Sequence, residues 1–535
     1  MKGYAFMNEY VFGANILENL TTGMYQDSRV IYREYIQNAC DQIDKARGNG
    51  VLSVGKELID IQLNEKERTI TITDNATGIP MSKFREVLAN IADSDKQIGE
   101  AKGFRGIGRL CGLAYCRELV FASKAPGEAY ISVLRCNAEK MRELIDKNNR
   151  GEKISANDLL NHIYAFPTPI KTDRLDDHWF KVELIGVNKE NHDLLDFQNV
   201  KDYLSFVAPV PYKNTFIFRK KVYDHANQIG VKIDEYKITL NGETILKNYG
   251  TRFCTSKGED EIFDVEFEEF YDDSNQLIAW SWFGLSHFKA IIHKECQMRG
   301  LRLRKENIQI GDDDALKKLF KEDRGSHYFI GEVFAVSRGL IPNSQRDYFN
   351  ENEPRLQFEQ KVRRFFNDEL TRLYRDGSDI NSAFKKIDDY QKKACDYSEK
   401  QRNGDFVDDD HRKKAEEAVK KAKIEAEKAK ENIEKKKQKV DQDPNNPTRK
   451  ILTRIEAERK KQETKESKTP DKKKVKEDTN ANKQTTEKVS RRVDKLTAIP
   501  KKDRKIISRI FSIILESTDE NTAETIITKI EEEFK

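Results

Sequence analysis

Clustered histidine, paired cysteine and long apolar runs are what this chain of 535 residues lacks. Its eight histidines begin only at His162, and the closest pair, His287 and His293, lacks metal-ligand spacing. The seven cysteines (Cys40, Cys111, Cys116, Cys136, Cys254, Cys296, Cys395) are odd in number, scattered and without a C-x-x-C pair. That pattern argues against a disulfide framework and a zinc site, and for a reducing compartment. No run approaches the roughly 18 apolar residues of a membrane span, and the opening MKGYAFMNEY has no apolar leader segment. The expectation is a cytoplasmic protein with no membrane partner. Charge of one sign is not in excess either, since 96 Lys+Arg against 92 Asp+Glu leave a net +4. Any affinity for nucleic acid would have to come from a local patch.

Charge as such is abundant, at 35% of residues, and it gathers after residue 395. The length predicts two or three globular units and a tail. Within the first unit, residues 34–41 read Glu-Tyr-Ile-Gln-Asn-Ala-Cys-Asp. On a helix, Glu34, Asn38 and Asp41 share one face, so two carboxylates and a carboxamide converge along a stripe. Such a stripe is either a solvated face or a surface that binds something, and a hydrated Mg²⁺ carrying a nucleotide would satisfy it.

The helical pattern over 11–47 is interrupted at Thr21-Thr22-Gly23, and two alternating strands follow at 58–63 and 69–73. The second runs into Asp74-Asn75-Ala76-Thr77-Gly78, placing a carboxylate at a strand end before a bend. A helix is expected over 81–92, then a polar stretch over 93–102. After it, Gly103, Gly106 and Gly108 stand ahead of an apolar run, a spacing that suits a loop whose bare amides cradle phosphates or one that needs close packing. Further strands are expected at 119–122 and 180–185.

From about residue 200 a second α+β unit begins, and an amphipathic helix over 356–374 closes it. Ala415, Ala418, Ala422, Ala426, Ala429, Ile433 and Val440 form a heptad seam broken at Lys436, too poor in apolar area to stand without a partner. Residues 460–495 are Lys/Glu/Thr-rich and read as disordered. Ile506, Ile507, Ile510, Ile513 and Ile514 make one apolar face near the end, and Ile526, Ile527, Ile530 and Phe534 another, which calls for docking or self-association. The segments expected are 1–199, 200–378, 379–440 (helical, coiled coil), 441–499 (charged linker) and 500–535 (helical hairpin).

Taken in order, these motifs over residues 10–125 resemble the GHKL superfamily of ATPases, which includes gyrase, MutL, the ninety-kilodalton heat-shock chaperones, MORC proteins and histidine kinases. The resemblance implies an α+β chain with a Bergerat-type α/β sandwich that binds ATP, a second transducer or middle domain, and a helical coiled-coil extension. It makes Glu34 the general base, Asn38 the Mg²⁺ ligand, Asp41 a pocket residue acting through water, and Asp74 the acceptor for the adenine amino group. Gly78 would admit the base, and Lys102, Gly103, Gly106, Ile107 and Gly108 would meet the phosphates. Two departures stand out. Ala76 replaces a family glycine, and Trp179 to Leu184 offers no hydroxyl where relatives often have threonine.

Residues 340–347, Leu-Ile-Pro-Asn-Ser-Gln-Arg-Asp, resemble the segment that sends a catalytic arginine to the γ-phosphate in the chaperone branch. Arg346 fills that place, unless it is a helix-start arginine paired with Asp347 or Glu351. The basic run 299–305 is either a strand facing nucleic-acid phosphates or a charged edge. The implied activity is an ATP-driven dimeric clamp, chaperone-like or MORC-like, in stress or defence against foreign DNA. The dimer would form through the N-terminal domain and the C-terminal helices, with a protein or DNA client. A histidine kinase is disfavoured because no histidine precedes the pocket. The alternative of another class is a nucleotide-gated DNA-binding or scaffold protein with negligible turnover.

Overall fold

The computed structural model of the chain describes residues 12–21, 23, 27–91, 106, 108–441, 443, 446–466, 493 and 499–534. The chain divides into two compact units, Met1–Leu285 with Ile291–Leu370, and Ser286–Ala290 with Thr371–Lys535. Its class is α+β, sheet-rich in the first unit and helical in the second. No helix among the described residues is long and apolar enough to cross a membrane.

The first unit opens with two helices, α1 (Asn15–Thr21) and α2 (Val30–Gly48). In α2, Ile36, Ala39, Cys40 and Ile43 recur at three- and four-residue steps and are buried. Nine strands then make the first sheet: β1 (Ile59–Asn64), β2 (Thr69–Asp74), β3 (Glu118–Lys124), β4 (Tyr130–Asn137), β5 (Tyr164–Ala165), β6 (Ile170–Lys171), β7 (Trp179–Ile185), β8 (Ile238–Leu240) and β9 (Glu243–Thr244). Their order is β5-β4-β3-β7-β2-β1-β8-β9, with β6 paired to β4. The alternation of β2 turns Ile70, Ile72 and Asp74 inward together. One apolar core joins α2 to this sheet through Ile36, Ile43, Ile61, Ile72 and Leu184. The helix expected over 81–92 is Met81–Ala89. The polar stretch 93–102 lies outside the described residues.

β8 lies beyond the boundary expected at residue 200, yet it belongs to the first sheet, running parallel to β1 with Ile59 opposite Ile238. The strand pair β10 (Arg252–Thr255) and β11 (Gly258–Glu261) follows. A five-stranded sheet then forms from β12 (Asp264–Tyr271), β13 (Leu277–Leu285), β14 (Gly300–Lys305), β15 (Ile308–Gln309) and β16 (Ile330–Ala335), in the order β12-β13-β16-β14-β15.

Residues 299–305 are neither a nucleic-acid face nor a solvated edge. β14 is an inner strand, and its Arg302 and Arg304 are buried. Arg302 donates to Gln309 Oε1 at 2.9 Å, and Arg304 donates through Nε to Glu332 Oε1. Arg304 also reaches the carbonyls of Asn307 (2.9 Å) and Phe206 (2.7 Å). Glu332 takes further bonds from Lys247 Nζ at 3.1 Å, Trp282 Nε1 at 3.2 Å, Tyr249 at 3.2 Å and Tyr212. Burial would raise the Glu332 carboxyl, but Arg304 and Lys247 outweigh it and hold it down at about 2.

In the second unit, helix Thr371–Asn403 packs against Asp409–Val440 and against Pro447–Glu466. Ala422, Ala426, Ala429 and Ile433 of the expected seam are buried there, whereas Ala418 is exposed. Lys436, the break in the seam, reaches Asp376 and lies 3.2 Å from Asp379 on the neighbouring helix. Residues 447–466 are a helix and not the disordered linker expected over 441–499, because Ile451, Leu452 and Ile455 give that segment a buried face. Residues 467–492 lie outside the described residues. At the end, Lys501–Ser517 and Glu520–Glu533 form a helical hairpin around Ile507, Phe511 and Ile527.

Candidate functional site

The polar stripe of α2 is not a solvated face. Glu34 and Asp41 are buried and Asn38 is half-buried. The two carboxylate oxygens of Glu34 meet different neighbours. A Cβ placed on Gly108 would stand 2.3 Å from Oε2, so only glycine lets the Gly108 backbone come this close without moving the carboxylate. Gly108 opens a 3₁₀ turn, Gly108–Ala114, that Tyr35 fastens to α2. The Tyr35 hydroxyl donates to the Arg109 carbonyl at 3.0 Å and accepts from the Gly112 amide at 3.1 Å.

The other oxygen, Oε1, faces cations. Arg33 Nη2 lies 3.4 Å away and also donates to the Gln345 carbonyl at 3.0 Å. Arg346 Nε lies 3.8 Å away. Arg346 is thus brought to Glu34 from more than three hundred residues along the chain. It sits in a turn and not at a helix start, with φ of 56°. A bridge between Pro342 and Phe349 closes that loop, and the Gly311 amide donates to the Arg346 carbonyl at 2.8 Å. A non-glycine residue in the left-handed region persists only where the surroundings hold it there. Burial lowers the Arg346 pKa from its ordinary value, while Glu34 pulls it back up. Of the alternative partners, Glu351 lies 3.9 Å from Arg355 and Asp347 accepts from Asn343.

Asp74 is buried at the end of β2, where it accepts from the Ala76 amide at 3.0 Å. Burial pushes its carboxyl up to about 7, against the pull of that one amide. Ala76 is itself buried, so the core accommodates its methyl group. Gly78 has φ of +63°, and a Cβ there would fall 2.1 Å from the Lys124 carbonyl oxygen. The Ser123 hydroxyl accepts from the Ile79 amide at 2.6 Å and so fixes the strand-end loop. His178 Nδ1 sits 2.7 Å from the Ala76 carbonyl oxygen. The residue in register with Asp74 on β7 is Phe180, whose ring stacks on Phe121 at 6.1 Å. That position is apolar, as the missing hydroxyl implied.

Gly106 adopts φ of +68°, while Lys102, Gly103 and Ile107 lie outside the described residues. Among the described residues no group of three or more His, Cys, Asp or Glu is arranged to hold a metal ion by itself. One carboxamide with carboxylates a turn away on either side is the donor set expected for Mg²⁺ that arrives with phosphates and keeps most of its waters. The contributions that reading the sequence missed are Arg33, Tyr35, Ser123 and the Gln345 carbonyl. Arg33 had a signal, since it precedes Glu34 directly, but a helix wheel turns it about 100° from the stripe.

With this geometry in view, comparisons with known proteins give the following. Residues 28–161 match the family model for histidine kinase-, DNA gyrase B- and HSP90-like ATPases. Relatives named chaperone protein HtpG are similar to parts of the chain. The one from Francisella tularensis subsp. tularensis (strain FSC 198) is 22% identical over 293 residues, covering 50% of this chain and 40% of its own. That of Fusobacterium nucleatum is 30% identical over 172 residues, 28% of each chain. That of Legionella pneumophila (strain Lens) is 38% identical over 85 residues, 15% of this chain and 14% of its own. The chain therefore spans less than half of the length of each of these relatives.

Proposed function

We propose that the chain, whose residues 28–161 match the model for histidine kinase-, DNA gyrase B- and HSP90-like ATPases, binds ATP with Mg²⁺, hydrolyses it to ADP and phosphate, and works as a dimeric clamp on a protein client in the cytoplasm. The observation that carries this reading is the meeting of Glu34, Gly108 and Arg346 around one carboxylate. Three segments far apart in sequence converge there, and each contributes what in-line attack on a γ-phosphate requires. Glu34 takes the proton of the attacking water as general base. Gly106 and Gly108, with Lys102, Gly103 and Ile107, present backbone amides and a cation to the phosphates. Arg346 places positive charge where negative charge grows in the transition state. Asn38 would hold Mg²⁺, with Asp41 one turn further along α2 ordering water. The bound ion spreads the charge that develops on the phosphate oxygens. Asp74 accepts from the adenine amino group, which guanine cannot supply at that position, and Gly78 lets the base approach.

For the dimer, the support lies in the C-terminal hairpin, where Ile506, Ile510, Ile513, Ile526 and Phe534 are exposed. The first three fall at i, i+4 and i+7, one apolar stripe left uncovered by the described residues. A DNA client is less well supported than a protein client, because Arg302 and Arg304 are spent inside the second sheet. Stress handling of proteins is accordingly the preferred role, ahead of a MORC-like defence against foreign DNA.

The test is ATP turnover by the full chain and by Glu34→Ala, with solution mass recorded with and without a non-hydrolysable ATP analogue. We expect turnover to fall by about 10²–10⁴-fold in the variant and the analogue to change the dimer's mass or shape. A wild-type chain that binds the analogue yet hydrolyses nothing would favour the nucleotide-gated scaffold.

A further inference from the structure

Among the described residues, three buried side-chain atoms of α2 have no hydrogen-bond partner, Arg33 Nε, Gln37 Oε1 and Arg47 Nε, and the first two form a donor–acceptor pair. Gln37 is 1% exposed and Arg33 8%, so bulk solvent reaches neither. An orphaned donor and an orphaned acceptor in the same interior are each costly. They stand four residues apart on one helix, where side chains are neighbours and the later one leans back towards the earlier. They are therefore complementary neighbours on one helix, yet unpaired.

The Arg33 guanidinium is engaged elsewhere. Arg33 spends Nη2 on Glu34 Oε1 at 3.4 Å and on the Gln345 carbonyl at 3.0 Å. Arg346 Nε approaches the same Oε1 at 3.8 Å. An oxygen faced by two guanidinium groups is poorly placed to accept a proton from water.

We propose that Gln37 is a positioning residue that takes Arg33 off Glu34 in the hydrolytic state. This rests on the ATPase reading above. When a nucleotide engages Arg346, the guanidinium of Arg33 turns so that Nε–H donates to Gln37 Oε1, both orphans are satisfied, and Glu34 Oε1 is released to the water. The resting arrangement and the working one then differ by the rotation of one side chain, and the carboxamide of Gln37 sets the balance between them.

The experiment measures kcat and KM for ATP, and thermal melting, on the full chain carrying Gln37→Leu, Gln37→Glu, Arg33→Met and the Arg33→Met/Gln37→Leu pair. Gln37→Leu keeps the volume and removes the acceptor. It should lower kcat by about tenfold while KM and melting stay near wild type. Gln37→Glu restores an acceptor and should recover most of the turnover. With Arg33 replaced by Met there is nothing to hold off, so the additional Gln37→Leu change should have no effect on kcat. Should Gln37→Leu melt early, Gln37→Met removes the same acceptor with a more adaptable chain. Unchanged kcat in both Leu and Met variants overturns the proposal, as does an equal loss in the Arg33→Met background. Turnover that survives Glu34→Ala would instead overturn the site reading itself, and this proposal with it.

Discussion

Glu34 and Glu332 are both buried and both face two cationic side chains, but they are bound in different ways. Around Glu332, Arg304 and Lys247 are joined by Tyr212, Tyr249 and Trp282, so that both carboxylate oxygens accept several well-formed hydrogen bonds. Around Glu34, the cations stand at 3.4 and 3.8 Å from one oxygen, the other oxygen lies against a glycine, and orphaned polar atoms surround the pair. A fully satisfied network in a low-dielectric interior locks one arrangement. A loosely held charge leaves room for a second. The same residue types thus brace the second sheet in one place and leave a carboxylate loosely held in the other, and the difference lies in how completely their bonds are made.

The sharpest way to break the comparison is at Glu332. Its replacement by Ala leaves Arg304 and Lys247 buried without a counter-charge, and a loss of about 3–5 kcal/mol is expected. Urea or thermal unfolding of Glu332→Ala would read it, and a loss below about 1 kcal/mol would mean that the network is not what holds the sheet. Gly108→Ala probes the other pole. The added methyl must displace the end of the Glu34 side chain and little else, so we expect hydrolysis to fall by about 10- to 100-fold with nearly unchanged melting. Equal losses of stability and turnover would erase the distinction between the two glutamates.

Asp74 supplies the most diagnostic effect, as a buried carboxylate that burial dominates. Its folded-state value of about 7 stands above the ordinary 3.8. The stability it contributes is therefore fully present below pH 3.8 and lost as pH rises through about 7. Melting temperatures of wild type and Asp74→Asn between pH 4 and 8 should diverge accordingly, with the wild type alone losing stability across that window. The ionised form that accepts from an amino group is the one gained as pH rises, so ATP affinity should strengthen over the same range.

Much of the ATPase-like domain could be read from local spacing. The period of 3.6 placed Glu34, Asn38 and Asp41 on one stripe, and the period of 2 carried Asp74 to an inward-facing strand end. What escaped depended on partners remote in sequence. Leu301 and Leu303 alternate with Arg302 and Arg304 as they would on an edge strand, but β14 is an inner strand, and Glu332 comes from β16. Residues 447–466 looked like linker because three apolar side chains suffice for a helix that has a neighbour to lie on. Likewise Gln37 drew no notice, since an orphaned atom is visible only when its surroundings are.

The pairing of β8 with β1 also bears on how this chain can be divided. A fragment cut at residue 199 would keep Glu34, Asn38, Asp41, Asp74 and Gly78, but it would lose Arg346 and strip the neighbour from Ile59, Asp60 and Ile61. It would also remove Thr239, whose hydroxyl donates to Asp60 at 2.6 Å, and Tyr236, whose hydroxyl donates to Asp44 on α2 at 2.6 Å. Such a fragment would display a raw strand edge able to pair with other copies of itself. The nucleotide-binding module, as a physical object, therefore ends no earlier than β9, and the peptide that completes it is the same one that leads into the second sheet.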